Sequence, residues 1–272
     1  MEWAFAYLTL GALVGLFSGM FGIGGGTILV PVLLILFKMQ HFPASYIMHL
    51  ALGTSMATIL FTSLASMRKH HQHGAVNWGV VRTITPGILF GTALGALCAA
   101  AVSPRGLGIF FALFVYFAAI QILFELRPQA SRQLPGMTGM TLTGMFTGWI
   151  SSLVSIGGGT VVVPFLIWCN MPIRSAIGTS AAIGFPVAIG GTAGYIVTGF
   201  STHTLPSPNL GFVYLPSLLW IVLASVITAP LGAKAVHRMK IGLLRKLFAM
   251  LMMVLATHLL IKSIGITVPG LS

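Results

Sequence analysis

The chain has 272 residues, of which 57% are hydrophobic and 6% are charged, and its mean hydropathy is +1.00. So few charges cannot cover the surface of a water-soluble domain of this size. The composition therefore predicts a membrane protein with several spans. The formal net charge of +12 comes from basic residues in short connections between apolar segments. That placement favours loops facing cytoplasm and anionic lipid over a nucleic-acid-binding surface.

The first apolar region, residues 3–37, is too long for one straight membrane helix and is broken by a Gly-Gly-Gly run. The start Met-Glu-Trp-Ala-Phe has neither a basic leader nor a recognisable cleavage site, so we expect this region to stay in the mature protein. Residues 137–169 repeat the same design in the second half of the chain. The segments long enough to cross a bilayer core of about 30 Å are residues 46–66, 79–102, 106–126, 174–198, 211–235 and 241–262.

The two broken regions are copies of one another. Gly15–Pro31 and Gly148–Pro164 share the skeleton G-x-x-S-x-x-x-x-I-G-G-G-T-x-x-V-P at an offset of 133 residues. A second match, Ala-x-Gly-Thr-Ser, follows each copy at Ala51–Ser55 and Ala176–Ser180. An apolar chain of two similar halves, each interrupted by glycine at the same place, is typical of a secondary transporter.

The length after each break predicts the topology of the halves. About ten apolar residues follow each glycine run, a rise of only about 15 Å, so each broken region is predicted to be a hairpin that enters and leaves on one side. One hairpin plus three spans gives each half an odd number of crossings. Residues 1–126 and 137–272 are therefore predicted to be inverted repeats of an all-α polytopic membrane protein, joined by a cytoplasmic linker at 127–136. If each broken region crosses fully in one pass, the halves are parallel instead.

Loop charge predicts the orientation. When the loop at residues 68–73 is placed in the cytoplasm, eleven of the 14 Lys and Arg residues lie on that side. The other three, Lys38, Arg105 and Lys262, lie on the opposite side. This bias is the one expected of an inner-membrane protein. Both termini are then predicted to be outside, together with residues 199–210, which contain no Lys or Arg.

The glycine runs are the strongest candidates for a binding site. Three glycines weaken a helix by about 1 kcal/mol each relative to alanine, and the backbone groups they free must face protein, water or a ligand. A new helix is predicted near Thr27–Pro31 and near Thr160–Pro164, with threonine as the N-cap and proline in the first turn. Each start presents free N–H groups and about half a positive charge. Two such starts meeting at the midplane predict a socket for a small anion.

The predicted substrate-binding set combines both repeated motifs. The Thr-Ser hydroxyls of the second motif either complete the socket or bond back to a helix carbonyl one turn earlier. Other glycines, at positions 87, 91, 95, 190 and 194, are interpreted as close helix packing. The substrate-binding set is Gly24, Gly25, Gly26, Thr27, Thr54, Ser55, Gly157, Gly158, Gly159, Thr160, Thr179 and Ser180.

Titratable residues add three weaker hypotheses. His49 and Arg174 share the internal offset of 125 residues and are candidate attractors at the two mouths, although Arg174 also fits a simple cytoplasmic anchor. His258 is the candidate for proton coupling, or else a packed histidine. The only acidic residues are Glu2 and Glu125, near the predicted membrane edges. Without a buried carboxylate, an anionic substrate is favoured over a cation.

Other reactive side chains predict no further chemistry. Cys98 and Cys169 lie in separate apolar segments and define no disulfide framework. His70, His71 and His73 lie close together on the predicted basic loop, and we do not interpret them as a metal site. No cofactor is implied.

The paired Ile-Gly-Gly-Gly-Thr segments, the prolines after them and the later Gly-Thr-Ser resemble the TauE/SafE family of sulfite and organosulfonate permeases over nearly the whole chain. The resemblance implies an inner-membrane carrier of sulfite, sulfonates or related sulfur compounds. The family's glycine repeats map onto Gly24–Thr27 and Gly157–Thr160. Ser151-Ser152 stands in the second copy where the first has Ser18-Gly19, so the two sites need not be equivalent. The expected partners are a small anion and membrane lipid, no nucleic acid is expected, and a homodimer is left open.

Several alternatives remain at this stage. A passive anion channel could use the same scaffold, and a carrier could take a carboxylate without sulfur. An intramembrane enzyme would need Cys98, Cys169 or His258, yet none of these has a nucleophile–base pairing or metal spacing. A protein of assembly or cofactor maturation would show no transport when purified.

Overall fold

The structure is a computed structural model that describes residues 3–21, 25–124, 129, 131–202, 204–238 and 242–264. This part of the chain forms ten α-helices and one short β-hairpin. The elements are α1 (Ala4–Phe21), α2 (Gly26–Met39), α3 (Ile47–Gln72), α4 (Trp78–Ala101), α5 (Pro104–Leu123), α6 (Met137–Val154), α7 (Gly159–Trp168), α8 (Ile173–Gly199), β1 (Asn209–Leu210), β2 (Val213–Tyr214), α9 (Leu215–Arg238) and α10 (Gly242–Ile264).

Six helices are long and apolar enough to cross a membrane, which confirms the six predicted spans to within a few residues at most of their ends. These are α3, α4, α5, α8, α9 and α10, whereas α2 and α7 are shorter apolar helices. Many large apolar side chains on the long helices are exposed, among them Leu113, Phe117 and Val254. This outward apolar surface suits contact with lipid.

Two boundaries differ from the prediction. The residues predicted as the basic loop 68–73 are mostly the last turns of α3, because His70 is buried and its Nε2 lies 3.2 Å from the Gly19 carbonyl oxygen. The segment predicted to begin at residue 211 becomes helical only at Leu215, since residues 209–214 pair as an antiparallel β-hairpin. This hairpin is the exception to the all-helical architecture within the described residues.

Both glycine-broken regions fold back on themselves. Gln40, just after α2, donates a 2.5 Å hydrogen bond from Nε2 to the Tyr7 hydroxyl near the start of α1. In the second copy, the Arg132 amide, just before α6, donates to the carbonyl of Trp168 at the end of α7. The beginning of the first helix and the end of the second therefore lie together in each pair, so each pair is antiparallel.

The two halves pair their helices in the same way. The counterparts of α1, α3, α4 and α5 in the second half are α6, α8, α9 and α10. α1 packs along α9 as α6 packs along α4, and α3 contacts α9 as α8 contacts α4. The counterparts α3 and α8 also pack against each other, as do α5 and α10. Each half therefore completes its core with helices of the other half.

Small residues make the tightest of these contacts, as the sequence predicts. Gly87, Gly91 and Gly95 on α4 each face backbone of α6 so closely that an added Cβ would overlap it. Gly190 and Gly194 on α8 face side chains of α4 in the same way. Backbones that approach this closely gain van der Waals contact that larger residues would prevent.

Candidate functional site

The two glycine breaks adopt the same local conformation. Gly25 and Gly158 have φ angles of 76° and 82°, and each is the N-cap of the helix that follows. This left-handed conformation favours glycine, because a side chain there would clash with the backbone. Thr27 and Thr160 are therefore second helical residues, and the prediction that they act as N-caps is wrong. The glycine turn starts the helix without a side-chain cap.

Each helix start leaves backbone donors unused by the helix itself. The amides of Ile28 and Leu29 both donate to the Gly25 carbonyl, and those of Val161 and Val162 to the Gly158 carbonyl. The first two amides of each helix precede these bonds and have no partner within the helix. Proline at residues 31 and 164 lies in the second turn rather than the first as predicted. It frees one more carbonyl in each helix.

The breaks lie halfway along their hairpins and touch each other. A Cβ at Gly25 would lie 2.5 Å from Val14 Cγ1, beside the middle of α1. A Cβ at Gly158 would lie 3.6 Å from Cγ2 of Thr147, the equivalent of Val14. Gly26 abuts the Ser155 carbonyl, where an added Cβ would overlap the oxygen. The start of α2 thus contacts the loop that leads into α7, and Gly24 lies outside the described residues.

Four of the six predicted hydroxyl ligands are buried and lack a hydrogen-bond partner. These are Thr27 and Thr160 at the two helix starts and Ser55 and Ser180 in the second motif. Their exposed fractions are 0%, 5%, 0% and 0% respectively. A buried hydroxyl without a partner destabilises a protein by about 1–3 kcal/mol, so four in equivalent pairs need an explanation. A Cβ at Gly26 would lie 3.2 Å from the Ser55 Oγ, which brings this hydroxyl to the break.

The remaining two hydroxyls fix loops from the other half of the chain. Thr54 Oγ1 accepts a 3.0 Å hydrogen bond from the amide of Tyr214, the last residue of β2 and the one before α9. Thr179 Oγ1 accepts a 2.9 Å bond from the Asn77 amide at the start of α4. Neither contact is the bond back to a helix carbonyl that was one of the two predicted alternatives. We call these two contacts the Thr54 latch and the Thr179 latch.

A glycine precedes each latch threonine and allows the loop backbone to approach the helix closely. Gly53 lies against the Phe212 carbonyl, and a Cβ at Gly178 would lie 2.6 Å from the Ala75 carbonyl oxygen. Glycine at both positions lets the loop backbone come close enough for its amide to reach the threonine. The repeated Gly-Thr-Ser is therefore a loop-binding element as well as a candidate ligand source.

A cavity of about 560 Å³ lies over the Thr179 latch. Its lining includes Asn77 of the latch, Ser175 one turn before Thr179, and Cys169. Burial raises the pKa of the Cys169 thiol, with a smaller opposing effect of Arg132. The thiolate is therefore disfavoured, which suits an inert thiol rather than a nucleophile. The residues that line this cavity do not include those of the breaks.

The predicted attractors have different surroundings. Arg174 is exposed near the start of α8, next to Ser175 in the cavity wall. His49 is 5% exposed, and its Nε2 donates a 2.9 Å hydrogen bond to the Ala99 carbonyl. His258 is half-buried on α10, a helix that packs chiefly against α5. No hydrogen bond described for His49, Arg174 or His258 connects any of them to the glycine breaks.

Two kinds of contact were not predicted. One is the loop amides that bind the latch threonines, and the other is the residues that pack near the second break. Asn77 and Tyr214 enter the latches through backbone amides, which leave no side-chain signature. Tyr195 is fully buried and donates a 2.9 Å hydrogen bond to the Ser152 carbonyl. Ser155 has a φ of 49°, and the equivalent residue in the first copy is Gly22, so the repeat did contain a signal for this turn.

The six membrane-length helices, together with two shorter apolar helices that start at glycine breaks, are those of a multi-pass membrane protein. The family described as sulfite exporter TauE/SafE matches residues 7–259. The chain belongs to this family, and it is a membrane transporter rather than an enzyme.

Relatives from bacteria and archaea cover most of the chain. A protein of Haemophilus influenzae named "probable membrane transporter protein" is 36% identical over 94% of this chain and 97% of its own length. Proteins of the same description from Xylella fastidiosa Temecula1 and Methanocaldococcus jannaschii are 30% and 28% identical, over 93% and 84% of this chain and the same shares of their own lengths. No solved structure matches.

Proposed function

We propose that the protein is a secondary carrier that moves a small sulfur-containing anion across the inner membrane by alternating access. The anion binds between the starts of α2 and α7. The observation that carries this proposal is a set of four buried, unpartnered hydroxyls in the repeated motifs, two from each half. Thr27 and Thr160 lie in the first turns of α2 and α7, and Ser55 lies at the first break.

The donor set suits an oxyanion of sulfur. The first amides of two helices provide donors together with partial positive charge, and hydroxyls can donate from the surrounding helices. Sulfite and sulfonate groups offer several acceptor oxygens around one sulfur atom, which such donors can surround. This set contains no cationic side chain, which favours release of the anion. A transported ion must leave again, and a fixed charge would hold it more tightly.

The described residues contain no aspartate or glutamate, because Glu2 and Glu125 lie outside them. Sodium sites and carboxylate proton relays depend on buried acidic groups. A net-positive site formed by helix dipoles and hydroxyls therefore supports an anionic substrate. We propose His258, half-buried on α10, as the group for proton coupling. The test is the pH dependence of uptake, which should be lost in His258→Gln.

Alternating access would follow from an inverted repeat. Residues 1–126 and 137–272 each contribute one antiparallel hairpin and three long helices, and the exchange of helix pairings between halves supports a two-fold relation in the membrane plane. Each hairpin is short enough to be re-entrant: α2 and α7 rise about 21 Å and 15 Å. The linker at 127–136 would then be cytoplasmic and both termini outside.

The two latches are our proposal for the gates. Each ties a loop of one half to the Thr-Ser motif of the other, and the two are related by the repeat. The cavity above the Thr179 latch would be the inner vestibule, with Arg174 at its rim as an attractor. Release of one latch while the other stays closed would open the site to one side. His49, the counterpart of Arg174, would act at the outer gate, where its ring lies 5.1 Å from that of Phe212.

Substrate identity is tested by thermal unfolding of the purified protein with sulfite, thiosulfate, sulfoacetate, taurine and matched carboxylates. A specific ligand stabilises the folded state according to its affinity, so one sulfur anion should stand out. Stabilisation by carboxylates alone would contradict the sulfur assignment. Saturable exchange of the selected anion in proteoliposomes, at a turnover far below channel rates, separates a carrier from a channel.

The site itself is tested by Gly25→Leu and Gly158→Leu. Both should abolish exchange while the protein still inserts, because a bulky side chain at a left-handed turn displaces the helix start. Gly242→Leu is the control, since a Cβ there meets nothing within 4 Å. Normal exchange by both break variants would refute the site.

A further inference from the structure

A second cavity, lined by two lysines, lies at the other end of α3 from the proposed vestibule. It has a volume of about 230 Å³ and contains Ile47 and Met48 in its lining, whereas the vestibule contains Gly74, just beyond the end of α3. The 26 residues of α3 place these two cavities about 39 Å apart. We call it the Lys38–Lys262 cavity, after the two cations that line it.

The three cations assigned to one side by loop charge converge here. Lys38 and Lys262 lie in the last turns of α2 and α10, and both side chains line this cavity. Arg105, in the first turn of α5, donates hydrogen bonds of 2.6 Å to the Ser263 and Ile264 carbonyls at the end of α10. Arg105 therefore fixes the end of the helix that carries Lys262, and no acidic side chain among the described residues offsets the charge.

Helix dipoles explain only part of this arrangement. A lysine in the last turn of a helix is favourable, but that benefit is kept if the side chain points away from other cations. Here both side chains are exposed and able to separate, yet they line the same cavity. Two ammonium groups that line one cavity, with no carboxylate beside them among the described residues, are stabilised by an anion between them.

The walls indicate what kind of anion fits. Leu34, Phe42, Ile47 and Leu259 contribute apolar lining, and apolar surface predominates in the cavity. Next to it, α5 exposes large apolar side chains such as Phe110 on the outside of the protein. A small hydrophilic anion would leave these walls poorly solvated, whereas an amphiphile would cover them.

We propose that the Lys38–Lys262 cavity binds an anionic phospholipid. The phosphate lies between the two ammonium groups, and the adjoining part of an acyl chain covers the apolar wall. Lysines at the ends of membrane helices attract anionic headgroups, by about fivefold in affinity for each cation near the surface. This inference is independent of the transported substrate, because the cavity shares no residue with the glycine breaks or the latches.

The first test measures binding of phosphatidylglycerol and phosphatidylcholine to the purified full-length protein by native mass spectrometry. Phosphatidylglycerol should be preferred, and Lys38→Gln combined with Lys262→Gln should weaken its binding about 25-fold. The matched control combines Lys69→Gln and Lys246→Gln, which removes the same charge from the far ends of α3 and α10. The control should change the affinity less than twofold. Equal binding by the Lys38 and Lys262 double variant and the wild type, or an equal loss in the control, would overturn the proposal.

The second test separates a lipid from a soluble phosphate. Glycerol phosphate at hundredfold excess should not displace phosphatidylglycerol, because it cannot cover the apolar wall. Ala44→Phe should weaken lipid binding at least fivefold while keeping both charges, since exposed Ala44 lines the cavity and the larger ring occupies it. Full displacement by glycerol phosphate would show that the occupant is a soluble anion. Unchanged lipid binding in Ala44→Phe would show that the lipid does not bind in this cavity, and either result would overturn the proposal.

Discussion

Gly26→Ala is the sharpest perturbation of the proposed site, because it adds one methyl group where the two breaks touch. The new Cβ would overlap the Ser155 carbonyl oxygen. That oxygen belongs to the backbone and the Cβ is fixed to the backbone of α2, so no flexible side chain can give way. The breaks must separate by about 2 Å to restore van der Waals contact. Overpacking of this kind destabilises a protein by about 1–3 kcal/mol.

The same shift should also reduce substrate affinity, by a free energy similar to the loss of folding stability. Hydrogen bonds to an anion require donor–acceptor distances near 2.7–2.9 Å, and a displacement on the order of 1 Å breaks them. Each charged hydrogen bond contributes about 1.5–3 kcal/mol, so losing one lowers affinity between about tenfold and a hundredfold. Labelled-anion exchange in proteoliposomes measures this loss, and thermal unfolding without ligand measures the folding effect.

Gly136→Ala is the matched control for this experiment. Gly136 precedes α6 with a φ of −62°, and an added Cβ meets nothing within 4 Å. This variant should exchange anion at the wild-type rate. If Gly26→Ala also exchanges at the wild-type rate and with wild-type affinity, the contact between the breaks has no part in transport and our reasoning about the site is wrong.

Three further variants test other parts of the structure. Ser180→Ala should weaken stabilisation by the substrate but leave the ligand-free unfolding temperature unchanged or raised, because the Ser180 hydroxyl has no protein partner. Ser155→Ala should instead lower stability by about 1 kcal/mol, because it removes the 2.9 Å hydrogen bond to the Leu52 carbonyl. The opposite pattern would exclude Ser180 from the site. Thr54→Val removes the acceptor of the Tyr214 amide and should increase access of a membrane-impermeant thiol reagent to a cysteine placed behind this latch; unchanged labelling would argue against a gate. Gly91→Leu should reduce the yield of folded protein, measured by monodispersity in detergent, because Gly91 faces α6 backbone; a folded but transport-dead variant would instead assign it a functional role.

Much of the fold was predictable because it depends on local composition and on repetition. Spans such as α4 and α5 are apolar runs of membrane length, so their position follows from hydropathy alone. The breaks near Gly25 and Gly158 were predictable because consecutive glycines weaken any helix. The helix starts were placed one or two residues too late, since a left-handed glycine can begin a helix without a side-chain cap, and sequence gives no direct reading of φ.

The sequence by itself therefore determined the membrane class, the six spans, the two glycine breaks and the hydroxyl residues near them. Tertiary structure alone decided which of these hydroxyls remain unpartnered. Thr54 and Thr179 meet amides 160 and 102 residues away, and Ser55 and Ser180, one position further on, do not. The meeting of Gly26 with Ser155 and of Lys38 with Lys262 likewise depends on how distant helices pack. Local sequence sets a helix and its apolar surface, but the partner of a buried polar group is chosen only when separate elements come together.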